Sequence, residues 1–263
     1  MQREPASVRG RSVHLLSEPA SVRGRSTFLP ATRSDEYLAM TEQPSRAVQD
    51  YLKAIHELEG ANQTVLPVDI ANRLGVRAPS VTGMLKRLAD AGWVDYESGR
   101  GARLTPAGVA EARRVIRRHR LVELFLTRVL GLDWSEVDAE AEALEHAISP
   151  RLEKAIAAHL GEPLEDPHGH PIPGPDGTMA HRDLRPLHTF QCGQHVLIRE
   201  VRDDNPERLR RWQTLGLMPG VVVYFLRHQP LDDLFELQLG DRVIPLGSEG
   251  LVGLLGECVA APT

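Results

Sequence analysis

Three side chains that could bind a metal ion stand at helical spacing near the middle of the chain. Glu142, Glu145 and His146 occupy positions i, i+3 and i+4, so a helix would direct all three to one face. His119 and Glu123 form an i, i+4 pair in an earlier segment. Glutamates and histidines at this spacing are also commonly exposed to solvent, so the spacing alone leaves both interpretations open.

An aspartate on the first predicted helix could join this set. Asp50 lies beside the apolar residue Tyr51. Two glutamates and an imidazole that converge with a further aspartate would form a donor set without a thiolate, which suits Mn²⁺ or Fe²⁺ better than a structural Zn²⁺. The two cysteines, Cys192 and Cys258, form no CxxC motif. A disulfide scaffold or a thiolate zinc site is therefore not expected, and the reducing cytoplasm is the predicted compartment.

The elements that must position these side chains begin with a winged helix-turn-helix. The first helix is predicted from an apolar stripe at three- and four-residue spacing, made of Val48, Tyr51, Leu52, Ile55 and Leu58. A second helix spans Pro67 to Leu74, and a third begins after Arg77. Two strand-like segments, Trp93–Glu97 and Ala102–Leu104, flank a glycine-rich turn and would form the wing.

Three further helices and a group of short strands are predicted after the wing. The helices run from Pro106 to about Leu130, from Ser135 to Ile148 and from Pro150 to Leu160, and a loop rich in proline, glycine and histidine follows. Between Thr189 and Val259 short β-rich segments alternate with turns, which predicts a small five-stranded barrel. The predicted fold class is therefore mainly α with a small β barrel.

Charge is unevenly distributed along the chain. The formal net charge is −5, yet between Arg73 and Arg120 there are eleven basic and four acidic residues, whereas residues 121–166 carry three basic and eleven acidic ones. The basic block coincides with the predicted winged helix, where neutralisation of DNA phosphates requires it. The acidic block could attract divalent cations. A charged block is often only a solvated surface, so its position on these elements is what favours the functional interpretation.

The third helix is predicted to enter the major groove of DNA by its first residues. Arg77 could donate hydrogen bonds to guanine, and Ala78 or Pro79 could contact a thymine methyl group. The hydroxyl groups of Ser80 and Thr82 suit phosphates. Further basic side chains are expected at the DNA on the same helix and on the wing, namely Lys86, Arg87, Arg100 and Arg103.

The amino-terminal segment is not expected to form structure. It contains a direct repeat, EPASVRGRS, at Glu4–Ser12 and Glu18–Ser26. Its composition cannot bury a core, so we interpret residues 1–43 as a disordered extension, or as upstream sequence ahead of Met40, rather than as a basic arm on DNA. No apolar run approaches the roughly 20 residues of a membrane helix, and no membrane association is expected.

Several ordered motifs resemble the iron-dependent repressor family of the diphtheria toxin repressor and the manganese transport regulator. They are AVQDYLKAIHELEG, the helix-turn-helix, HRLVELFL, EALEH and DPHGHPIPG, and they cover about residues 44–182. The segments CGQHVLIREV and ERLRRWQTLGLMPG resemble the SH3-like domain shared with the ferrous iron transport A protein. The implied domains are a winged-helix DNA-binding domain at 44–112, a helical metal-binding and dimerisation domain at 113–182 and an SH3-like domain at 183–263.

The resemblance implies a primary metal site at Asp50, Glu142, Glu145 and His146. The iron-responsive branch usually has Met and Cys at the first two of these positions, whereas both are carboxylates here, as in the manganese-responsive branch. Harder oxygen donors favour Mn²⁺, with Fe²⁺ as the alternative. One departure is Lys53, which stands where manganese regulators without an SH3-like domain have a further Glu.

A second site is implied at His119 and Glu123, with Asp138 in the place of the usual His. Ligands from the SH3-like domain would fall near Asn205 and Glu207, which is a weak match. His168 and His170, in the proline-rich loop, are expected to be structural or to lie near a site rather than to be primary ligands.

The function implied is a metal-dependent repressor that binds operator DNA as a homodimer and controls metal-uptake genes, with no small-molecule substrate. Metal would join Asp50 of the DNA-binding domain to the acidic helices behind it. The expected dimer interface uses Val137, Leu144, Ile148, Leu152 and Ile156. A di-metal hydrolase is the alternative class. The barrel could also be a partner-binding module.

Overall fold

The computed structural model describes residues 44–59, 64–203 and 205–261. The predicted disordered extension, residues 1–43, lies outside the described residues. Within the described ranges, no helix has the length and apolar character needed to cross a membrane.

The first three helices and a hairpin form the predicted winged helix. They are α1 (Arg46–Leu58), α2 (Pro67–Leu74), α3 (Ala78–Asp90), β1 (Val94–Glu97) and β2 (Gly101–Leu104). β1 and β2 pair antiparallel, and Val65 forms a bridge to Ala102. The apolar stripe of α1 packs on α2 and α3 through a core that includes Leu52, Ile55, Ile70, Val81 and Leu85. Burial of these apolar surfaces is the main stabilising contribution to the domain.

A long helix continues from the wing into the second domain. This helix, α4 (Pro106–Arg128), is capped by Thr105, whose hydroxyl accepts a hydrogen bond from the backbone N–H of Gly108. α4 packs against α1 near its start and against α5 (Val137–Leu144) and α6 (Pro150–His159) further on. It therefore joins the two domains with one rigid element.

The helix predicted from Ser135 to Ile148 is shorter than expected at both ends. Asp133 accepts hydrogen bonds from the backbone N–H and the hydroxyl of Ser135, which forms a turn ahead of α5. α5 ends at Leu144, although Glu145 keeps helical dihedral angles and donates its N–H to Ala141 at 2.8 Å. Glu145 therefore closes α5, and His146 lies in the turn that follows it.

Three of the five residues expected at a dimer interface are buried inside the chain. Val137, Ile148 and Ile156 belong to the core between α4, α5 and α6. Leu144 and Leu152, by contrast, are 41% and 49% exposed. The apolar pattern of the two helices therefore serves mainly the core of the domain, and only part of it faces outward.

The carboxyl-terminal domain is an open sheet, and the predicted five-stranded barrel is wrong. Its strands are β3 (Arg185–Pro186), β4 (His195–Val201), β5 (Val222–Gln229), β6 (Leu234–Leu239), β7 (Arg242–Leu246) and β8 (Leu254–Val259), with α7 (Pro206–Leu215) between β4 and β5. The order is β3-β8-β4-β5-β6-β7, with every neighbouring pair antiparallel. Both edge strands contain a proline, Pro186 and Pro245, which lacks the N–H that ladder pairing requires. Closure between β3, only two residues long, and β7 is not observed among the described residues.

Candidate metal centre

Asp50, Glu145 and His146 converge between the winged helix and the helical domain, and we call them the first cluster. His146 Nε2 lies 2.7 Å from Asp50 Oδ1 and 3.3 Å from Glu145 Oε1. All three side chains are largely buried, and the Glu145 side chain has no exposed surface. Within the described part of the chain these same three atoms have no hydrogen-bond partner. Buried polar atoms are normally satisfied, so three unsatisfied donor atoms that face one another need an explanation.

Hydrogen bonding at one nitrogen of His146 determines which nitrogen faces the two carboxylates. Its Nδ1 lies 2.7 Å from the Oε1 of Gln49, and the amide group of Gln49 is oriented because its Nε2 donates to Glu111 at 3.1 Å. The neutral tautomer that donates its Nδ1–H to Gln49 has its lone pair on Nε2. That lone pair faces two carboxylate oxygens. A cation between them relieves the repulsion, and it suits the oxygen and nitrogen donors of Mn²⁺ or Fe²⁺.

The pKa shifts of the two carboxylates reflect their different surroundings. Burial raises the pKa of Asp50. The charges of His146 and Arg46 oppose this shift and those of Glu142 and Glu145 add to it, so the net shift is upward. Burial also raises the pKa of Glu145, but the hydrogen bond from His119 and the charge of Lys53 outweigh it, so the net shift is downward. Glu145 is therefore ionised and ready to bind a cation.

Glu142 is paired with Lys53 rather than with the donor atoms of the first cluster. Its Oε2 lies 2.6 Å from the ammonium nitrogen of Lys53, and its side chain is 44% exposed. Glu142 also lines a small cavity together with Asp50. Its role as a ligand of the first cluster stays a prediction.

The predicted second site also comes together, and we call His119, Glu123, Asp138 and His168 the second cluster. His119 Nε2 lies 3.3 Å from Asp138 Oδ1 and 3.7 Å from Glu123 Oε1. Its other nitrogen, Nδ1, lies 2.6 Å from Glu145 Oε2. Burial lowers the pKa of His119, but hydrogen bonds to Asp138, Glu123 and Glu145 raise it well above its ordinary range. A histidine held among three carboxylates marks a place that favours positive charge.

His168 is the member of the second cluster that the sequence interpretation set aside. Its Nδ1 lies 3.3 Å from Glu123 Oε1, and its Nε2 lies 3.0 Å from the carbonyl oxygen of Trp134, to which it donates. Asp166 fixes the surrounding loop by accepting the backbone N–H groups of His168 and His170. Helical spacing cannot identify a ligand that a loop supplies, and the only signal was the motif DPHGHPIPG itself.

The sheet domain approaches the second cluster through different residues from those expected. Glu200 and Asp203 line the same cavity as His119 and Glu123. Asn205 instead caps the start of α7 by accepting the N–H groups of Glu207 and Arg208. Neither Asn205 nor Glu207 lines this cavity, so ligands at those two residues stay a prediction, and the amide oxygen of Asn205 is engaged in capping the helix.

The start of α3 is an exposed surface with the features expected of a DNA-reading element. Arg77 is its N-cap residue, with Ala78 and Pro79 in the first turn. Among the predicted contacts only Thr82 is half-buried, and the others are exposed, namely Arg77, Ala78, Pro79, Ser80, Lys86, Arg87, Arg100 and Arg103. On the wing, Arg100 pairs with Glu97 and Arg103 with Glu59. The positive end of the helix dipole favours an anion at this point.

Part of the basic block is turned away from this surface. Arg117 and Arg118 on α4 are 7% and 5% exposed. Arg113 and Arg117 donate to the carbonyl oxygens of Gly177 and Pro173 at 2.9 and 2.7 Å. These side chains hold the proline-rich loop against α4. Fewer basic residues are therefore available to DNA phosphates than the eleven that the sequence contains between Arg73 and Arg120.

A winged helix that one long helix joins to two clusters of side chains able to hold a metal ion is the architecture of metal-dependent DNA-binding regulators. Three family models match the chain in order. Residues 44–102 match the iron dependent repressor N-terminal DNA binding domain, residues 105–174 its metal binding and dimerisation domain, and residues 185–250 the FeoA domain.

Two named relatives are each similar to about two thirds of this chain. The iron-dependent repressor IdeR of Mycobacterium leprae (strain TN) is 34% identical over 185 residues, which are 66% of this chain and 80% of that protein. The diphtheria toxin repressor of Corynebacterium jeikeium (strain K411) is 37% identical over 197 residues, or 66% of this chain and 82% of that protein. The chain belongs to the iron-dependent repressor family.

Solved structures agree with this assignment. A manganese-dependent transcriptional repressor in complex with manganese superposes with a TM-score of 0.75 at 34% identity, covering 81% of this chain and all of that chain. The IdeR of T. acidophilum gives a TM-score of 0.65 at 26% identity, covering 80% and 97%. The protein is thus a metal-dependent transcriptional repressor by family, and these relatives are named as repressors rather than enzymes, which argues against the hydrolase alternative.

Proposed function

We propose that a single divalent ion, Mn²⁺ in the first place and Fe²⁺ as the alternative, binds at the first cluster and brings the repressor into its DNA-binding state. The observation that carries this proposal is a set of three buried atoms, on Asp50, Glu145 and His146, that have no hydrogen-bond partner among the residues that the structure describes. A bound ion supplies positive charge with several coordination positions. Carboxylates from two domains can then meet at one point.

Binding of the ion would fix the orientation of the winged helix relative to the helical domain, because its ligands come from both. Asp50 lies on α1 of the winged helix, whereas Glu145 and His146 follow α5 of the helical domain. When all three bind one centre, they hold α1, and with it α3, in one position relative to the helical domain. Metal then favours the DNA-competent state by its differential affinity for that state.

The preference for Mn²⁺ rests on the donor set. The first cluster offers carboxylate oxygens and one imidazole and contains no thiolate or thioether, which suits hard cations. A solved relative is named as a manganese-dependent repressor in complex with manganese, whereas other relatives are named as iron-dependent. In this proposal Glu142 stays a candidate ligand that would have to rotate away from Lys53.

The second cluster is proposed as a further metal site. His119, Glu123 and Asp138 supply the donors predicted from the resemblance, and His168 adds an imidazole nitrogen that lies 3.3 Å from Glu123 Oε1. The hydrogen bond between His119 and Glu145 connects the two clusters.

The DNA partner is proposed to be an operator with two half-sites bound by a homodimer. Arg77, Ala78, Pro79, Ser80 and Thr82 would enter the major groove, while Lys86, Arg87, Arg100 and Arg103 would contact phosphates or the minor groove. Leu144 and Leu152, the exposed apolar residues of α5 and α6, are the proposed dimer contacts. The divisions at 44–112, 113–182 and 183–263, a cytoplasmic location and control of metal-uptake genes complete the proposal.

A DNA-binding titration tests the proposal directly. Fluorescence anisotropy with family-type operator DNA is measured with and without Mn²⁺ for the native protein, for Glu145→Gln and for Glu140→Gln. Glu140 is an exposed glutamate on α5, five residues before Glu145, and serves as the matched control. Mn²⁺ is expected to tighten binding at least about tenfold for the native protein and the control but not for Glu145→Gln. Equal affinity with and without Mn²⁺ in the native protein contradicts the proposal.

A further inference from the structure

A buried lysine lies directly beside the first cluster. The Nζ of Lys53 is 2.6 Å from Glu142 Oε2, 2.9 Å from Glu145 Oε2 and 3.0 Å from His119 Nδ1. Its side chain is only 7% exposed. A buried ammonium group is costly unless it is paired, and Lys53 is paired with two carboxylates.

The three groups around Lys53 are themselves a possible metal-binding set. One donor atom from each of His119, Glu142 and Glu145 lies within 4.8 Å of the others. Two carboxylates and an imidazole are donors that a divalent ion accepts. The ammonium group of Lys53 contacts all three of these groups.

We propose that Lys53 is a tethered cation that occupies the position of a second metal ion beside the first cluster and so limits that cluster to one divalent ion. This inference rests on the proposed function, because it assumes an ion at Asp50, Glu145 and His146. It assigns Lys53 a role in setting the number of ions bound.

Helix α1 carries both the metal ligand Asp50 and the tethered cation Lys53. Asp50 and Lys53 are three residues apart, so both project toward the helical domain from one face of α1. The carboxylate of Glu145 lies between them, with Oε1 facing Asp50 and His146 and Oε2 facing Lys53. An ion on one side of Glu145 and the ammonium on the other would share one bridging carboxylate.

The chain itself already supplies positive charge beside Glu142 and Glu145. The ammonium group of Lys53 pairs with both carboxylates, and its nitrogen also lies 3.0 Å from His119 Nδ1. A second divalent ion next to Lys53 would leave a buried excess of positive charge, which is unfavourable at low dielectric.

Counting bound ions tests this inference. The full chain carrying Glu123→Gln serves as the background, so that the second cluster is disabled and only ions beside the first cluster are counted. Mn²⁺ bound per chain is measured by equilibrium dialysis with metal analysis for this background alone and with Lys53→Glu added. We expect one ion per chain in the background and two with Lys53→Glu. One ion in a folded Lys53→Glu protein overturns the inference.

A second variant decides the matter if Lys53→Glu fails to fold by circular dichroism. Lys53→Met keeps the length of the side chain and removes its charge. Its Mn²⁺ affinity is expected to rise by about tenfold or more, because the repulsion between ammonium and ion is gone. An unchanged or weaker affinity overturns the inference. Absence of any Mn²⁺ binding in the Glu123→Gln background instead contradicts the proposed function itself, so the two failures are distinguishable.

Discussion

Gln49 connects the first cluster to the interior of the DNA-binding domain. Its amide nitrogen donates to Glu111 on α4 and its oxygen accepts the Nδ1 proton of His146. The buried glutamine thereby fixes both the tautomer and the orientation of the imidazole. Partners of this kind usually matter for metal affinity nearly as much as the ligands.

We expect Gln49→Ala to weaken Mn²⁺ binding by roughly 10–100-fold, because His146 loses the group that orients its ring. Isothermal titration calorimetry measures the change. The exposed Gln213 on α7 provides the matched control, and Gln213→Ala should bind Mn²⁺ as the native protein does. Native affinity in Gln49→Ala would show that the imidazole is oriented by other contacts.

His56 makes the stability of the fold sensitive to acid. Burial, together with the charges of Arg113 and Arg120, lowers the pKa of His56 to about 4 from its usual 6.5. The unfolded chain therefore binds more protons than the folded chain between these two values, so stability falls as the pH drops from 6.5 toward 4.

His56→Gln should remove part of this dependence. The native protein is expected to lose up to about 3 kcal/mol of unfolding free energy through His56 across that pH range, and the variant should lose correspondingly less. Urea denaturation of both proteins at pH 7, 5.5 and 4 provides the comparison. Parallel losses in the two proteins would assign the acid sensitivity to other groups.

At the scale of elements, the junction between the wing and α4 leaves no space for an added atom. A Cβ on Gly108 would lie 2.1 Å from the carbonyl oxygen of Trp93, whereas a Cβ on Gly83 in α3 would meet nothing within 4 Å. The two helical glycines thus offer a matched pair. One allows close packing of α4 on the wing, and the other is free.

Gly108→Ala is expected to destabilise the protein by about 1–3 kcal/mol, because the backbone of α4 or the wing must shift. Gly83→Ala should leave stability unchanged or raise it by about 0.5–1 kcal/mol, because alanine favours the helix. Thermal unfolding followed by circular dichroism gives both values. A Gly108→Ala protein as stable as the native one would mean that this junction is loosely packed.

At the scale of the whole molecule, one chain presents one reading helix, and a homodimer would supply the second. Most apolar side chains of α5 and α6 are buried in the core of the helical domain, whereas Leu144 and Leu152 are exposed. Exposed leucines on adjoining helices are the expected start of a self-complementary interface.

Leu152→Glu should therefore convert the dimer to a monomer, because a buried, unpaired carboxylate at the interface is costly. Sedimentation velocity at micromolar concentration measures the species present. Leu231→Glu, at a fully exposed position on the sheet domain, is the control and should not change the oligomeric state. A dimeric Leu152→Glu protein would place the interface elsewhere.

Local patterns in the sequence determined most of the helices, the wing and the types of metal donors. The stripe on α1, the proline at the start of α4 and the carboxylates of the first cluster follow from spacing and residue chemistry, which depend on near neighbours. Their assignment to a repressor family came from motifs in a fixed order. The exact domain boundaries and the roles of individual site residues stay predictions.

Only the tertiary structure decided which of these side chains meet. Glu142 turns to Lys53, His168 reaches Glu123 from a loop, and Glu200 rather than Asn205 lines the second cluster's cavity. The open sheet, with a proline in each edge strand, likewise replaced the expected barrel. Contacts of this kind join residues that lie tens of positions apart in the chain. Their geometry depends on where helices end and how domains pack, and the spacing of residues along the sequence does not determine either.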